Sequence, residues 1–304
     1  MAQPWSPEQV VDAEFAQRLI EKQFPELAPA HVQTLGEGFD NTVYAVNEQY
    51  VFRFPRREIA VELLRTEGQL LPTLIGKFPV AIPEPLFYGE PEMGYPWRFL
   101  GYRQVAGLMP ENVPALRRVE AARPLAAFLR ALHDVPVEQA VGVPHGDHMH
   151  RFDLSTRKPK LAEYVEKATE WGLLPDPSAM HQYLETLSSF GEVGATTLVH
   201  GDLHIRNLLV DAEGFLTGVI DWGDTHIGHP ALDLTIAYSY LPPEGRRIFF
   251  ETYGEVDERT RAMARFRAVF STMVLMLYGH DLGLEQLVEV TRVNLELALK
   301  EEEQ

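Results

Sequence analysis

The stretch His200-Gly201-Asp202-Leu203-His204-Ile205-Arg206-Asn207, followed by Ile220-Asp221-Trp222-Gly223, places a carboxylate, an amide and a second carboxylate in an order that suits one chemistry. A carboxylate such as Asp202 can take a proton from an alcohol. Oxygen donors such as Asn207 and Asp221 suit magnesium on a nucleotide triphosphate. Together they would move a phosphate onto a hydroxyl.

Local structure has to bring these side chains together. Residues 208–210 and 215–220 look like two strands joined by Asp211-Ala212-Glu213-Gly214, a good turn sequence. A hairpin brings its open ends together, so Asn207 and Asp221, 14 residues apart in the chain, meet in space. Residues 196–199 read as an extended segment leading into the loop that carries Asp202. The Asp-to-Asn spacing of five residues matches the kinase catalytic loop, and Asp221-Trp222-Gly223 stands where kinases have Asp-Phe-Gly. The chain also holds an internal control, His145-Gly146-Asp147. Phe152 stands five residues after Asp147 and no hairpin follows, so this copy reads as a loop. Its neighbours His148 and His150 read as surface histidines rather than a metal site.

On the phosphate side, Gly36-Glu37-Gly38-Phe39-Asp40-Asn41 joins strand-like runs at 32–35 and 42–46. Gly36 and Gly38 would let the backbone approach phosphate oxygens, although a plain hairpin also needs glycine. After a turn at Asn47 and Glu48 comes a strand at 50–54, where alternation turns Phe52 and Phe54 to one side and Arg53 to the other. Residues 58–71 carry a helical stripe of Ala60, Leu63, Leu64, Leu70 and Leu71, continuing to Leu74, with Glu67 on it; Pro72 should kink or end the helix. The two oddities explain each other: Arg53 pairs with Glu67 and contacts the nucleotide phosphates, with a purely structural ion pair as the alternative.

Elsewhere, residues 7–24 read as a helix with Ser6 as N-cap and Pro7 at its first position. The proline-rich segment 78–85 reads as a connector, and 99–105 as a strand ending at Ala106-Gly107. Helical patterns follow at about 115–134, 160–171, 178–190, 230–241, 244–253 and 257–299 with breaks. The change of texture near Gly107 divides the chain into a strand-rich lobe, residues 1–106, and a helical lobe, residues 107–304, with a ligand cleft expected between them.

A chain of 304 residues with 45% hydrophobic and 23% charged content has room for two lobes with cores of their own. With no cysteine, disulfides, thiolate zinc sites and cysteine nucleophiles are excluded. MAQPWSPEQV shows no signal-peptide pattern and the apolar run at 269–278 is too short to span a bilayer, so a cytoplasmic address without a membrane partner is expected. A formal charge of −17 argues against a nucleic-acid partner. It would help attract a cationic substrate, or simply keep the surface solvated.

Taken together, these residues resemble the aminoglycoside phosphotransferase family, within the protein-kinase-like small-molecule kinases. The likeness runs from Leu35-Gly36-Glu37-Gly38-Phe39-Asp40-Asn41 through Val51-Phe52-Arg53-Phe54-Pro55, Ile82-Pro83-Glu84-Pro85 and Leu132-His133 to the two stretches above and Gly228-His229-Pro230-Ala231-Leu232-Asp233-Leu234. The resemblance implies an α+β, protein-kinase-like two-lobe fold: a small N-terminal lobe with an antiparallel sheet plus helices, and a larger, mainly helical C-terminal lobe. It implies ATP or GTP as co-substrate with Mg2+, Asp202 as base, and Asn207 and Asp221 as metal ligands. Gly36, Gly38, Arg53 and Glu67 would serve the phosphates, and a hinge from Tyr102 through Arg103 to Val105 would read the purine. Asp233 would brace the catalytic loop. Arg53 stands where many members have lysine; it keeps the charge and grips phosphate in a fork, but is bulkier.

The resemblance leaves open a small-molecule hydroxyl acceptor, an aminoglycoside-type antibiotic first, then a macrolide, a choline-like alcohol, homoserine or a sugar metabolite. The region 140–195 and the C-terminal helices would line the acceptor pocket. Glu163, Glu166 and Glu170 make an acidic helix face that could hold amino groups but more often is solvated, and Asp147 and Asp153 are weaker candidates. A monomer or dimer is expected. Two other classes compete: a catalytically weak nucleotide-binding regulatory module, suggested by Arg53, and a metal-dependent hydrolase built on His200, Asp202 and His204.

Overall fold

The computed structural model describes residues 7–37, 40–140 and 142–300. Ser6 and Gly38 lie outside them. The first helix, α1 (Ala13–Gln23), starts later than expected because Asp12 caps it, accepting from Phe15 N at 2.7 Å.

Three strands follow, β1 (Val32–Glu37), β2 (Asn41–Val46) and β3 (Tyr50–Pro55), paired antiparallel in sequence order. Asn47 and Glu48 both take positive φ in the turn between β2 and β3. Alternation along β3 works as read: Phe52 and Phe54 are buried in a core with Leu19 and Ile20 of α1, while Arg53 faces the other way.

Helix α2 (Glu58–Leu74) runs through Pro72 instead of stopping there. A proline in a helix leaves the carbonyl four residues back without its N–H donor. Here that carbonyl belongs to Gly68, and the Tyr88 hydroxyl donates to it at 3.0 Å. Tyr88 lies on β4 (Glu84–Gly89), a strand that starts within the last two residues of the expected connector, 78–85, and runs on past it. With β5 (Phe99–Arg103) it completes a sheet of order β1-β2-β3-β5-β4, where β4 is the edge and can accept Pro85. Gly101 on β5 is required by packing, since a Cβ there would lie 2.5 Å from the Phe52 ring.

The helical part begins with a 3-10 turn, Ala115–Ala121, leading into α3 (Ala122–His133). Helix α4 (Leu154–Glu170) starts six residues before the expected position, capped by Asp153 and carrying Pro159 in its second turn. Helix α5 (Ser178–Thr186) ends short of the expected 190. The strands β6 (Thr197–Val199), β7 (Leu208–Val210), β8 (Leu216–Val219) and β9 (His226–Gly228) form two small ribbons, β6 with β9 and β7 with β8. Then come α6 (Ala231–Ser239), α7 (Pro243–Tyr253), α8 (Glu258–Asp281) and α9 (Glu285–Leu299). This is the expected α+β, two-lobe, kinase-like architecture.

The larger core gathers Phe128 of α3, Trp222 and the inner faces of α6 and α8, and it extends into Leu64, Leu70, Leu71 and Leu74 of α2 and Leu100 of β5. The helix carrying Glu67 is therefore packed into the helical part as well as against the sheet. Among the described residues no helix is long and apolar enough to cross a membrane.

Candidate active site

A cleft of about 650 Å³ opens between the sheet and the helical part, with Gly36, Arg53 and Glu67 on one side and Asp202, Asn207 and Asp221 on the other. The hairpin β7–β8 does what its sequence suggests. Ile220 N donates to Asn207 O at 3.0 Å, closing its base and setting Asn207 beside Asp221. Asn207 Nδ2 donates to Asp202 O at 2.8 Å. Because a carbonyl only accepts, this bond orients the amide and leaves Oδ1 for another partner.

Asp221 takes φ +64°, an uncommon conformation for a residue with a side chain. Its neighbour Trp222 anchors the turn: it is fully buried, stacked on Phe78 with ring centroids 6.0 Å apart, edge-on to Phe128, and donates from Nε1 to Val219 O at 3.1 Å. Asp221 is left half-exposed in the cleft. The free amide oxygen of Asn207 and the carboxylate of Asp221 are a hard-oxygen donor pair of the kind magnesium takes together with phosphate and water.

Arg53 and Glu67 meet as expected, Nη1 to Oε2 at 3.0 Å, with Glu67 only 1% exposed. The other end of the guanidinium, Nη2, lies 2.7 Å from Asp221 Oδ1. Burial works against the Arg53 charge, but Asp221 and Glu67 outweigh it and hold its pKa above the ordinary arginine value. Burial in turn raises the Glu67 carboxyl, against the pull of Arg53.

Asp202 lies with its Oδ2 3.5 Å from His204 Nε2. Burial pushes its carboxyl up, and His204, with Arg267 and His200, outweighs this and holds it well below the usual carboxylate range. It is ionised at neutral pH, the state a base requires. The loop behind it is fixed by Asp233, which accepts from His200 N at 2.8 Å and Gly201 N at 2.9 Å. Asp233 also accepts from His133 Nε2 at 3.0 Å, and His133 Nδ1 meets the Tyr253 hydroxyl at 2.7 Å. Gly201 takes φ +84°, and a Cβ on it would lie 2.4 Å from Asp224 O, so the turn into Asp202 needs glycine.

Tyr102, Arg103, Gln104 and Val105 line the cleft where the hinge was expected. Of the two regions expected to line the acceptor pocket, none of the described residues of 140–195 lines this cleft, while the C-terminal helix α8 supplies Arg267, Ser271, Val274, Leu275 and Tyr278. Glu163, Glu166 and Glu170 are exposed and away from the cleft, Asp153 is spent capping α4, and His148 and His150 are exposed. Among the described residues no three His, Asp or Glu side chains converge on a metal position, and His200 donates from Nε2 to Ile220 O at 3.0 Å, which removes the basis for a His200-Asp202-His204 metal centre.

The second His-Gly-Asp is a loop, as read, yet it is not idle. Asp147 pairs with Arg151 at 2.7 Å, and Arg151 reaches Asp224 at 3.1 Å. Asp224 lines the cleft, and its carboxyl is raised by burial and by Asp202 against the pull of Arg151. Sequence reading missed Asp224 and Arg267. Asp224 stands three residues after Asp221, which was a usable signal, whereas nothing local marks Arg267.

Comparison with known proteins bears on the family and the fold. The profile of the phosphotransferase enzyme family matches residues 31–269. The uncharacterized protein YcbJ of Bacillus subtilis (strain 168) is 23% identical over 224 residues, 69% of each chain. The structure of the GDP complex of wild-type aminoglycoside 2′-phosphotransferase-IIIa is 28% identical, covering 95% of this chain and 99% of that one, with a TM-score of 0.67. Macrolide 2′-phosphotransferase type I shares the fold at 20% identity, 95% and 99% coverage and a TM-score of 0.53.

Proposed function

This chain belongs to the phosphotransferase enzyme family, and from that premise we propose that it moves the γ-phosphate of ATP or GTP to a hydroxyl of a small molecule. The observation that carries the reading is the Asp202–Asn207–Asp221 arrangement, locked by the Asn207 amide on Asp202 O and the backbone bond from Ile220 to Asn207. Relatives bound to GDP support the nucleotide. It would lie between a lobe of residues 1–106 and one of 107–304, its purine against Arg103 and Val105, its phosphates near Gly36, Gly38 and Arg53, with Glu67 steadying Arg53.

Mg2+ held by Asn207 and Asp221 would supply charge balance on the phosphates. Asp202 orients the acceptor hydroxyl and takes its proton as the oxygen attacks the γ-phosphorus in line with the departing diphosphate. Arg53 offsets charge on the phosphate oxygens from the sheet side, and Asp233 keeps the loop of Asp202 in place.

For the acceptor, relatives in complex with kanamycin and gentamicin support an aminoglycoside-type antibiotic, in which case the enzyme would confer resistance. One observation favours a second reading, a smaller alcohol such as homoserine or a sugar metabolite. The α8 wall presents Arg267 and no carboxylate, where the ammonium groups of an aminoglycoside would call for acidic partners.

The test is phosphate transfer by Asp202→Ala with both nucleotides. Transfer should be lost while nucleotide binding survives, and chelation of the metal should stop the native enzyme. Full transfer by the variant would sink the assignment. Nucleotide binding by the native protein without turnover on any alcohol would favour a regulatory module.

A further inference from the structure

Among the described residues Arg267 forms no ion pair; its guanidinium carbon lies 5.9 Å from the centre of the Phe270 ring. It faces the cleft on the same side of α8 as Ser271, Val274, Leu275 and Tyr278, opposite Asp202. Among the described residues no carboxylate lies within 4 Å of it, and no hydrogen bond occupies its guanidinium. Burial, with the charge of Arg151 beside it, pulls it down to about 10, a value at which it still carries its charge at neutral pH.

The charged groups around it are otherwise engaged. Arg151 is taken by Asp147 and Asp224. Arg157 donates to the carbonyls of Met149 and His150, which bring no charge. Asp202 is near enough for its charge to be felt, yet it is not in contact, and its nearest basic group is His204. A partly buried guanidinium that faces a cleft and makes no ion pair gains most from an anion that accepts two of its N–H donors.

We infer that Arg267 binds the acceptor, and that the acceptor is a small alcohol carrying a carboxylate or phosphate, its anionic group on Arg267 and its hydroxyl on Asp202. This rests on the reading of Asp202 as the acceptor base. The step keeps its balance: a bond forms between the acceptor oxygen and the γ-phosphorus, the bond from that phosphorus to the bridging oxygen of the nucleotide breaks, and the hydroxyl proton passes to Asp202. The anionic group stays intact and serves to orient.

The experiment uses the full chain with Mg2+ and ATP or GTP. D-glycerate and L-homoserine serve as carboxylate probes, glucose 6-phosphate as a phosphate probe, glycerol as a neutral control and kanamycin as a polycation. Melting-temperature shift reads binding and nucleotide diphosphate release reads transfer. At least one anionic probe should raise the melting temperature and be phosphorylated, and glycerol and kanamycin should not. Arg267→Gln should raise KM for that probe about 10- to 100-fold, more than it lowers kcat. Arg267→Lys should recover part of the loss, and it replaces the glutamine variant if that one fails to fold. Kanamycin turned over better than every anionic probe overturns the inference and leaves the phosphotransferase reading intact. So does an unchanged KM in Arg267→Gln, or a panel in which no anion binds or reacts. An anion that binds through Arg267 while no alcohol is ever phosphorylated defeats the Asp202 reading instead.

Discussion

Arg53 holds Glu67 and Asp221 at the same time, Nη1 3.0 Å from one carboxylate and Nη2 2.7 Å from the other. A lysine has a single nitrogen at its tip and cannot span both in this way. Arg53→Lys should keep the buried contact with Glu67 and release Asp221. Because Asp221 is half-exposed, water screens that contact and its loss is worth about 1 kcal/mol or less. The half-saturating magnesium concentration should fall by a few-fold at most, measured by metal titration of nucleotide binding. Arg53→Met, which removes both contacts, should weaken nucleotide binding instead.

Asp233 sits under the loop that carries Asp202, with two backbone N–H groups and His133 on its carboxylate. Asp233→Ala removes the acceptor of a buried network and should cost about 3–5 kcal/mol. Burial pushes its pKa up, but His133 and the backbone donors prevail and leave it below the ordinary value. A carboxylate whose folded pKa is depressed stabilises fully above its unfolded pKa of about 3.9, and loses that contribution as pH falls through the folded value. Urea unfolding should therefore show the gap between native protein and Asp233→Ala narrowing below about pH 4 and constant above it.

Gly201→Ala should combine backbone strain at φ +84° with a clash against Asp224 O. A loss of about 2 kcal/mol or more is expected, together with a fall in transfer rate, because relief of the clash moves Asp202 or Asp224. Thermal unfolding and initial rates on the same sample check both parts.

Tyr88→Phe should test how α2 survives Pro72. The variant leaves Gly68 O without its hydroxyl partner at a place where proline offers no N–H. A cost of about 1 kcal/mol is expected in urea unfolding. Replacing Pro72 with alanine in the same background should recover most of it by restoring the helix bond.

What could be read from the chain was local. The β7–β8 hairpin needs only a turn sequence between two apolar runs, so the meeting of Asn207 and Asp221 followed from nearby residues. The Arg53–Glu67 pair was found because each broke a short-range period, alternation in one case and the helical stripe in the other. Arg151 and Asp224 are 73 residues apart, and no period links them. Arg267 lies on a helix whose apolar residues are spread around it, so its cleft-facing side has no mark in the sequence. β4 was hidden by prolines that only an edge strand admits. The starts of α1 and α4 were displaced by aspartate caps whose geometry is decided in three dimensions.

Glu67 rides on a helix whose leucines 64, 70, 71 and 74 are each at most 3% exposed within the core that also contains Phe128 and Trp222. Swinging α2 away to break the Arg53 contact would return those side chains to water at a cost of about 6 kcal/mol or more. That is comparable to the net stability of a whole domain. The Arg53–Glu67 pair is thus held assembled by the core, and on the proposed reading a molecule built this way is switched on by the arrival of its substrates rather than by displacement of a helix.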